Sequence, residues 1–332
     1  MERPLVTRPP VLVIAGPTAV GKSSLAHRVA QRVGAEIVSA DSRQVYRDLD
    51  IGTAKPSAAE RAQVPYHLLD RLDLGVRVTA GGFLEWVIDA ITDIHSRGRP
   101  VVVAGGSTMY VDGIVHGMPD APPVSRAVEA ELLAAAATPD GAADLFRELE
   151  AADPEAAATL DPTKTHRLVR WVGVLRETGR RPSEHWSERQ GAVPSRLVVL
   201  DRPREELYSR IEARVDQMMA AGLLDEAARL AQRGAEARQT LEATIGYREL
   251  LPVLDGERRL AEGVRLIKRN TRRYAKRQLT WYRRYEGALW LPAATTDAAE
   301  LLDRLSDWPW DGAPSGGHAR RAAWPPLPSP GR

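Results

Sequence analysis

The 332-residue chain has no cysteine, which excludes disulfides and thiolate-ligated zinc and fits a reducing compartment. No apolar run approaches the length of a membrane span, and the start, Met1-Glu2-Arg3-Pro4, carries no apolar signal segment. A cytoplasmic protein without membrane association is therefore expected. No internal repeat is present. Acidic residues are scarce in one place: between Arg258 and Arg284 there are eleven Lys or Arg and a single acid, Glu262. The chain's net charge of +2 conceals that imbalance. The remaining composition, 43% hydrophobic and 27% charged, is that of a globular protein long enough for two domains.

Val11-Leu12-Val13-Ile14-Ala15 is a continuous, mostly β-branched apolar run, the pattern of a buried parallel strand. It enters Gly16-Pro17-Thr18-Ala19-Val20-Gly21-Lys22-Ser23, a G-x-x-x-x-G-K-S sequence, and Leu25, Val29 and Val33 then recur at helical spacing. Strand, glycine loop and helix in that order predict a phosphate-binding loop. Gly16 and Gly21 let successive N–H groups converge on one anion at the positive end of a helix. Lys22 adds a mobile charge, and the Ser23 hydroxyl is placed to ligate a magnesium ion carried on the phosphates.

Glu36 to Ala40 reads as a second strand ending at Asp41-Ser42-Arg43-Gln44, and ligands of open parallel sheets collect beyond such strand ends. Asp41 is either a site carboxylate or the N-cap of a following helix. Pro100 to Gly106 reads as a third strand, and it ends in Ala104-Gly105-Gly106 where a nucleotide hydrolase would carry an acid. The bound phosphate is therefore expected to serve something other than hydrolysis. His67, in Pro65-Tyr66-His67-Leu68-Leu69-Asp70, reads first as a structural hydrogen-bonder. A helix is expected over Phe83 to Ile94.

From about Met118 to Pro194 the strand-like runs stop, and helices are expected over Val128–Ala137, Ala142–Ala152 and His166–Glu177. Arg167 and Arg170 lie one turn apart, on a solvated face or a nucleic-acid contact. Ser195 to Asp201 returns to strand character, and a long helix is expected from about Glu205 to Gln232, with Arg210 and Arg214 four apart on one face. Lys268 to Tyr285 interleaves cations of one sign with Tyr274 and Trp281, the pattern of a helix that tracks a nucleic-acid backbone. A tail from about residue 310, rich in Gly, Pro, Ala and Arg, reads as disordered.

The fold class these elements predict is α/β: a P-loop NTPase-like core with a parallel sheet flanked by helices, plus a helical insertion domain. The expected division is core over 1–117, a helical insertion over 118–194, core with basic helices over 195–292, and a C-terminal segment over 293–332.

The blocks Gly16-Pro17-Thr18-Ala19, Asp41-Ser42-x-Gln44-Val45-Tyr46, Asp50-Ile51-Gly52-Thr53-Ala54-Lys55-Pro56 and Pro65-x-His67-Leu68-Leu69-Asp70 occur in this order. Gly105-Gly106, Gly246-Tyr247-Arg248-Glu249 and Tyr274-Ala275-Lys276-Arg277-Gln278-Leu279-Thr280-Trp281 follow. Together they resemble the bacterial tRNA dimethylallyltransferases, an isopentenyl-transferase family, from near the start to about residue 290. The resemblance implies transfer of a dimethylallyl group from dimethylallyl diphosphate to an adenine amine beside the anticodon of tRNA, by a monomer using Mg²⁺. It implies catalytic roles for Lys22, Asp41, Ser107 and Arg214, with Asp41 accepting the amine proton and Arg214 reaching the diphosphate. It implies tRNA contacts through Asp41, Ser42, Arg43, Gln44, His166, Arg167, Arg170 and Ile245-Gly246-Tyr247-Arg248, and through Lys276, Arg277, Gln278, Thr280, Trp281 and Arg283. Ser107 stands where the family usually has threonine, and His166 and Arg273 where it usually has glutamine; nothing is carried onto Glu129. A small-molecule kinase and a non-catalytic RNA-binding ATPase module are the competing readings of the same phosphate loop.

Overall fold

The structure is a computed structural model that describes residues 10–310 apart from 120, 162–163, 188 and 191. It divides into two compact units, one of residues up to His116 and from Val193 on, the other of Gly117–Ala192. The tail from 311 lies outside the described residues.

In chain order the first unit begins β1 (Val11–Ala15), α1 (Lys22–Val33), β2 (Glu36–Ser39), α2 (Ala58–Gln63), β3 (Tyr66–His67), α3 (Ala80–Ser96), β4 (Val101–Gly105) and α4 (Thr108–His116). The second unit holds β5 (Met118–Pro119), α5 (Arg126–Ala135), α6 (Pro139–Ala152), α7 (Pro154–Thr159), α8 (Thr165–Thr178), α9 (Glu184–Ser187) and β6 (Arg189–Gln190). The first then resumes with β7 (Ser195–Asp201), α10 (Arg204–Ala220), α11 (Leu223–Ala231), α12 (Ala235–Glu242), α13 (Tyr247–Leu254), α14 (Leu260–Tyr282), β8 (Leu289–Pro292) and α15 (Ala298–Arg304).

The first unit is built on one parallel sheet in the order β3-β2-β4-β1-β7-β8. β1 is flanked by β4 and β7, and all five of its residues are buried, which is why its sequence is apolar without alternation. Leu12, Ile14, Val102 and Val198 share a core with Leu25 and Val29 of α1 and Leu207 and Ile211 of α10. In the second unit Leu132, Leu145, Leu149, Leu168 and Val172 form a separate helical core. Among the described residues no helix is long and apolar enough to cross a membrane.

Three expectations change. The helix expected over Glu205–Gln232 is broken: Gly222 adopts φ 95°, and the chain restarts as α11. No helix follows Asp41; residues 42–45 are a turn that leads to a bridge between Tyr46 and Leu72. The sheet gains β3 and β8 at its two edges, short strands whose sequences carry little alternation. His67, on β3, donates from Nε2 to Glu36 Oε2 at 2.7 Å, and Arg97 binds the same carboxylate, so this histidine is structural. Arg97 and His67, working against burial, hold Glu36 below the usual carboxylate range, with the Arg97 hydrogen bond contributing most.

The Asp50–Pro56 block is a folded bracket. Buried Glu226 of α11 accepts the N–H groups of Asp50, Ile51 and Gly52, and the Tyr247 hydroxyl donates to it at 2.5 Å. Gly52 also donates to the Tyr247 oxygen at 3.1 Å, and a Cβ at Gly52 would stand 2.5 Å from the tyrosine ring. Lys55 places its ammonium on Tyr46 O, Asp50 and Asp70 at 2.6–2.7 Å. Tyr247→Phe is expected to lower stability by about 1.5–3 kcal/mol in denaturant titrations, because a carboxylate buried with three backbone donors loses its fourth. A change under about 0.5 kcal/mol would show that the bracket does not depend on this hydroxyl.

Candidate active site

Parallel strands deliver their C-terminal loops to one edge, and the loops after β1, β2 and β4 meet there. Gly16 has φ 146°, and a Cβ on it would lie 2.8 Å from Leu200 O, so only glycine fits this first turn. The loop's backbone is oriented from behind. Arg202 donates to Val20 O at 2.8 Å and Arg210 to Ala19 O at 3.0 Å. With these carbonyls held outward, the N–H groups of Ala19, Gly21, Lys22 and Ser23 have no acceptor among the described residues. They form an anion cradle at the start of α1. Thr18 departs from the expected set, since its N–H is donated to Gln278 Oε1 at 2.9 Å.

Gly105 and Gly106 close the cradle's other side. A Cβ at Gly105 would lie 2.1 Å from Ala40 O; one at Gly106 would lie 2.7 Å from Gln278 Nε2 and 3.2 Å from Lys22 Nζ. The two glycines thus let the β2 and β4 loops touch and leave space for the lysine head. Lys22 Nζ rests 3.3 Å from Pro17 O. Its pKa is lowered to about 8, chiefly by burial and then by the Arg214 charge, with Asp41 acting in the opposite sense. Arg214 lies one turn beyond Arg210 on α10, and burial holds its guanidinium below the ordinary value, with Asp41 again opposing. Lys22, Asp41 and Arg214 are therefore electrostatic neighbours: two cations share one carboxylate.

Asp41 Oδ1 accepts the N–H groups of Arg43 at 2.8 Å and Gln44 at 3.3 Å, while Oδ2 takes no hydrogen bond from any described residue. One oxygen shapes the turn and the other is free for a ligand. Ser107 is buried at the head of α4, and its Oγ accepts the Ser42 N–H at 2.9 Å. Tyr274 of α14 lies beside the same hydroxyl, and burial is the main reason its phenol is pushed up to about 12. Ser23 is exposed at the second position of α1. The described residues contain no group of three or more His, Asp or Glu able to cage a metal. An ion there would be held by Ser23 and by the phosphates themselves, as magnesium is in phosphate sites. Beside the cradle, Arg214, Gln217 and Met218 face Ile51, Lys55 and Arg61 across a cleft of about 880 Å³ that no residue of Gly16–Ser23 lines.

Several residues expected to contact RNA make internal hydrogen bonds. Gln44 accepts from Ser39 Oγ at 3.0 Å and donates to Thr53 O and Ala54 O, tying the strand end to the bracket. Gly246 and Tyr247 are buried, and the Gly246 N–H binds Glu249 at 2.7 Å. Gln278 is 2% exposed, with both ends of its amide bonded to the cradle. Arg170 donates to Ala121 O at 3.0 Å within the second unit, and burial lowers its pKa. Side chains left at the surface are Arg248, Lys276, Arg277, Thr280 and Arg283 in the first unit and His166 and Arg167 in the second. Ser42, Arg43, Ile245 and Trp281 are half-buried.

The single-signed reading of the basic helix holds for half of it. Lys268 pairs with Asp216 at 2.7 Å, and Arg272 pairs with Glu212, both acids of α10. Arg273, Lys276, Arg277 and Arg283 meet no carboxylate among the described residues. Sequence reasoning missed Arg202, the loop-pinning role of Arg210 and the inward turn of Gln278. The spacing of Arg210 and Arg214 was a usable signal, because residues four apart project to the same side.

A parallel sheet with an amide cradle after its first strand, and two cations and a carboxylate beside the cradle, defines an α/β protein with a pocket suited to a phosphorylated ligand. Comparison with known proteins narrows this. The IPP transferase family profile matches residues 44–285. The tRNA dimethylallyltransferase of Salinibacter ruber is 43% identical over 301 residues, covering 90% of this chain and 92% of that protein. That of Chlorobium phaeobacteroides is 44% identical over 308 residues, covering 89% and 93%. Among solved structures, the full-length tRNA isopentenylpyrophosphate transferase of Bacillus halodurans superposes with a TM-score of 0.66 at 36% identity, covering 90% of this chain and 95% of that one. A eukaryotic dimethylallyltransferase captured acting on tRNA gives 0.75 at 29% identity, covering 90% and 77%. The chain belongs to the IPP transferase family.

The Lys22 environment predicts a pH dependence. A pKa near 8 in the free protein means the ammonium is charged below that pH and is lost above it. An anion favours the charged form, so affinity for inorganic diphosphate is expected to fall by up to about tenfold per pH unit above pH 8. Binding near that pH is expected to take up a proton that Lys22→Met does not. Calorimetry in buffers of different ionisation enthalpy measures the difference; equal uptake by both proteins would separate Lys22 from the anion.

Proposed function

We propose that the chain transfers the dimethylallyl group of dimethylallyl diphosphate to the exocyclic N6 amine of the adenine 3′ to the anticodon in tRNA, releasing diphosphate. The observation that carries this is the meeting of Lys22, Arg214 and the open Oδ2 of Asp41 at the mouth of an amide cradle whose neighbouring strand, β4, ends in glycine where a hydrolase would place an acid. The similarity to tRNA dimethylallyltransferases over most of their length supplies the acceptor and the group transferred.

In this reading the C1–O bond of the donor breaks with its electron pair going to the diphosphate, and the N6 lone pair forms the new bond to C1. The allylic cation is delocalised, so catalysis consists mainly of stabilising the leaving group and aligning the amine. Lys22, Arg214 and the free loop amides take the growing charge on the diphosphate. The proton released from N6 passes to Asp41, whose other oxygen is fixed by the turn. Ser107 supports the Asp41 loop by accepting the Ser42 N–H and presents its hydroxyl on the cradle side. Magnesium, held by Ser23 and the diphosphate oxygens, would add Lewis-acid neutralisation of the same charge.

The amine of a stacked base is out of reach, so the adenine is flipped into the site at a cost of a few kcal/mol. The unpaired cations on the C-terminal half of α14, with Arg43 and Arg248, meet the phosphate backbone of the anticodon stem-loop, and the exposed His166 and Arg167 of the second unit offer that unit's own cations to RNA. All four reactive groups come from one chain, so a monomer suffices.

Incubation with labelled dimethylallyl diphosphate and unmodified tRNA is expected to label the RNA without ATP. Label that stays out of RNA, together with ATP-dependent phosphorylation of a small hydroxyl compound, would replace this reading with a kinase. Asp41→Asn retains the turn's hydrogen bonds while removing the base. It is expected to lower kcat by about 10²–10⁴-fold with tRNA affinity and melting temperature unchanged. A near-normal rate would reduce Asp41 to a turn former.

A further inference from the structure

Helix α14 presents Tyr274, Gln278 and Tyr282 at four-residue intervals, hence along one stripe, and that stripe faces the cradle. Tyr274 lies beside Ser107. Tyr282 is fully buried, and its hydroxyl faces the Gly16 amide without a well-formed hydrogen bond. Gln278 sits between them and makes the two bonds of the stripe. Its Oε1 accepts the Thr18 N–H at 2.9 Å and its Nε2 donates to Gly106 O at 2.6 Å. Thr18 belongs to the loop after β1 and Gly106 to the loop after β4. One amide thus spans the two walls between which the Lys22 head lies.

We infer that Gln278 is a positioning residue for the diphosphate: a brace that sets the separation of the cradle's two loops and keeps open the slot for the Lys22 ammonium. This rests on the proposed function, in which the cradle holds the donor's diphosphate. The amide's two ends are not interchangeable, since one wall offers a donor and the other an acceptor. Only a side chain with both, at this length, satisfies two buried backbone groups that would otherwise be left unpaired. A carboxylate would keep the bond to Thr18 but would set a lone pair against Gly106 O and place negative charge beside the anion. An aliphatic chain of the same length would lose both bonds. Lys276 and Arg277 are exposed while Gln278 is buried, so the same helical turn serves RNA on one side and the donor on the other.

The test uses the full chain, with inorganic diphosphate and magnesium as the probe in calorimetry, unmodified tRNA in a filter-binding titration, and steady-state kinetics with dimethylallyl diphosphate. For Gln278→Met we expect the diphosphate Kd and the donor KM each to rise at least tenfold while the tRNA Kd stays within twofold. For Gln278→Glu we expect a larger rise in both. A tenfold loss of tRNA affinity with unchanged diphosphate affinity would return Gln278 to the RNA face and overturn the inference, as would wild-type values of both constants. Should Gln278→Met not unfold cooperatively, the isosteric Gln278→Glu decides on the same readouts. A wild-type chain that neither binds diphosphate nor prenylates tRNA would remove the underlying reading. A wild type that does both, beside variants of unchanged diphosphate affinity, would remove the brace alone.

Discussion

Two buried cations that feel each other and one nearby carboxylate are the constraint on which this site depends. Burial, and then the Arg214 charge, depress the readiness of the Lys22 ammonium to stay charged, burial does the same to Arg214, and Asp41 opposes both. Such an arrangement is unfavourable in the free protein and becomes favourable when a polyanion enters. The fold tolerates it because the surrounding backbone is held by other groups. Arg202 and Arg210 fix the outward carbonyls, Gln278 fixes the two walls, and Ser107 ties the Asp41 turn to α4. The reactive groups therefore need make few bonds of their own, and Oδ2 of Asp41 stays open.

The same division of labour explains the most conspicuous sequence block outside the cradle. Asp50 to Pro56 lines the cleft beside the cradle, opposite Arg214. Glu226, Tyr247, Lys55 and Gln44 lock it against β2's outgoing turn, which places Asp41. Gln44 and Tyr247, which share segments with surface cations, are anchors beneath that surface.

Much of the architecture was legible from residues 11–24 alone: a buried run, a glycine loop and an amphipathic start cannot be arranged in many ways. The second strand, the third strand and the helical insertion followed from apolar runs and their absence. Less legible were features made only by tertiary contact. Glu212 and Asp216 neutralise part of α14 from another helix, so charge counting along the chain overstated its positive face. β3 and β8 are short edge strands whose pairing, not their pattern, makes them strands. Gln278 was partly readable: Tyr274, Ala275, Gln278 and Tyr282 fall on one helical stripe with Ile267, and a polar residue on a buried stripe implies an internal partner.

The point at which the helical unit leaves and rejoins the sheet has an evolutionary corollary. The chain departs after His116 and returns at Val193, whose N–H binds Ile114 O at 2.8 Å, so exit and re-entry are adjacent. An insert attached by neighbouring stalks can lengthen, shrink or be exchanged without disturbing the register of β4 or β7. The helical unit can therefore change in size while the loops at the sheet's edge keep their positions.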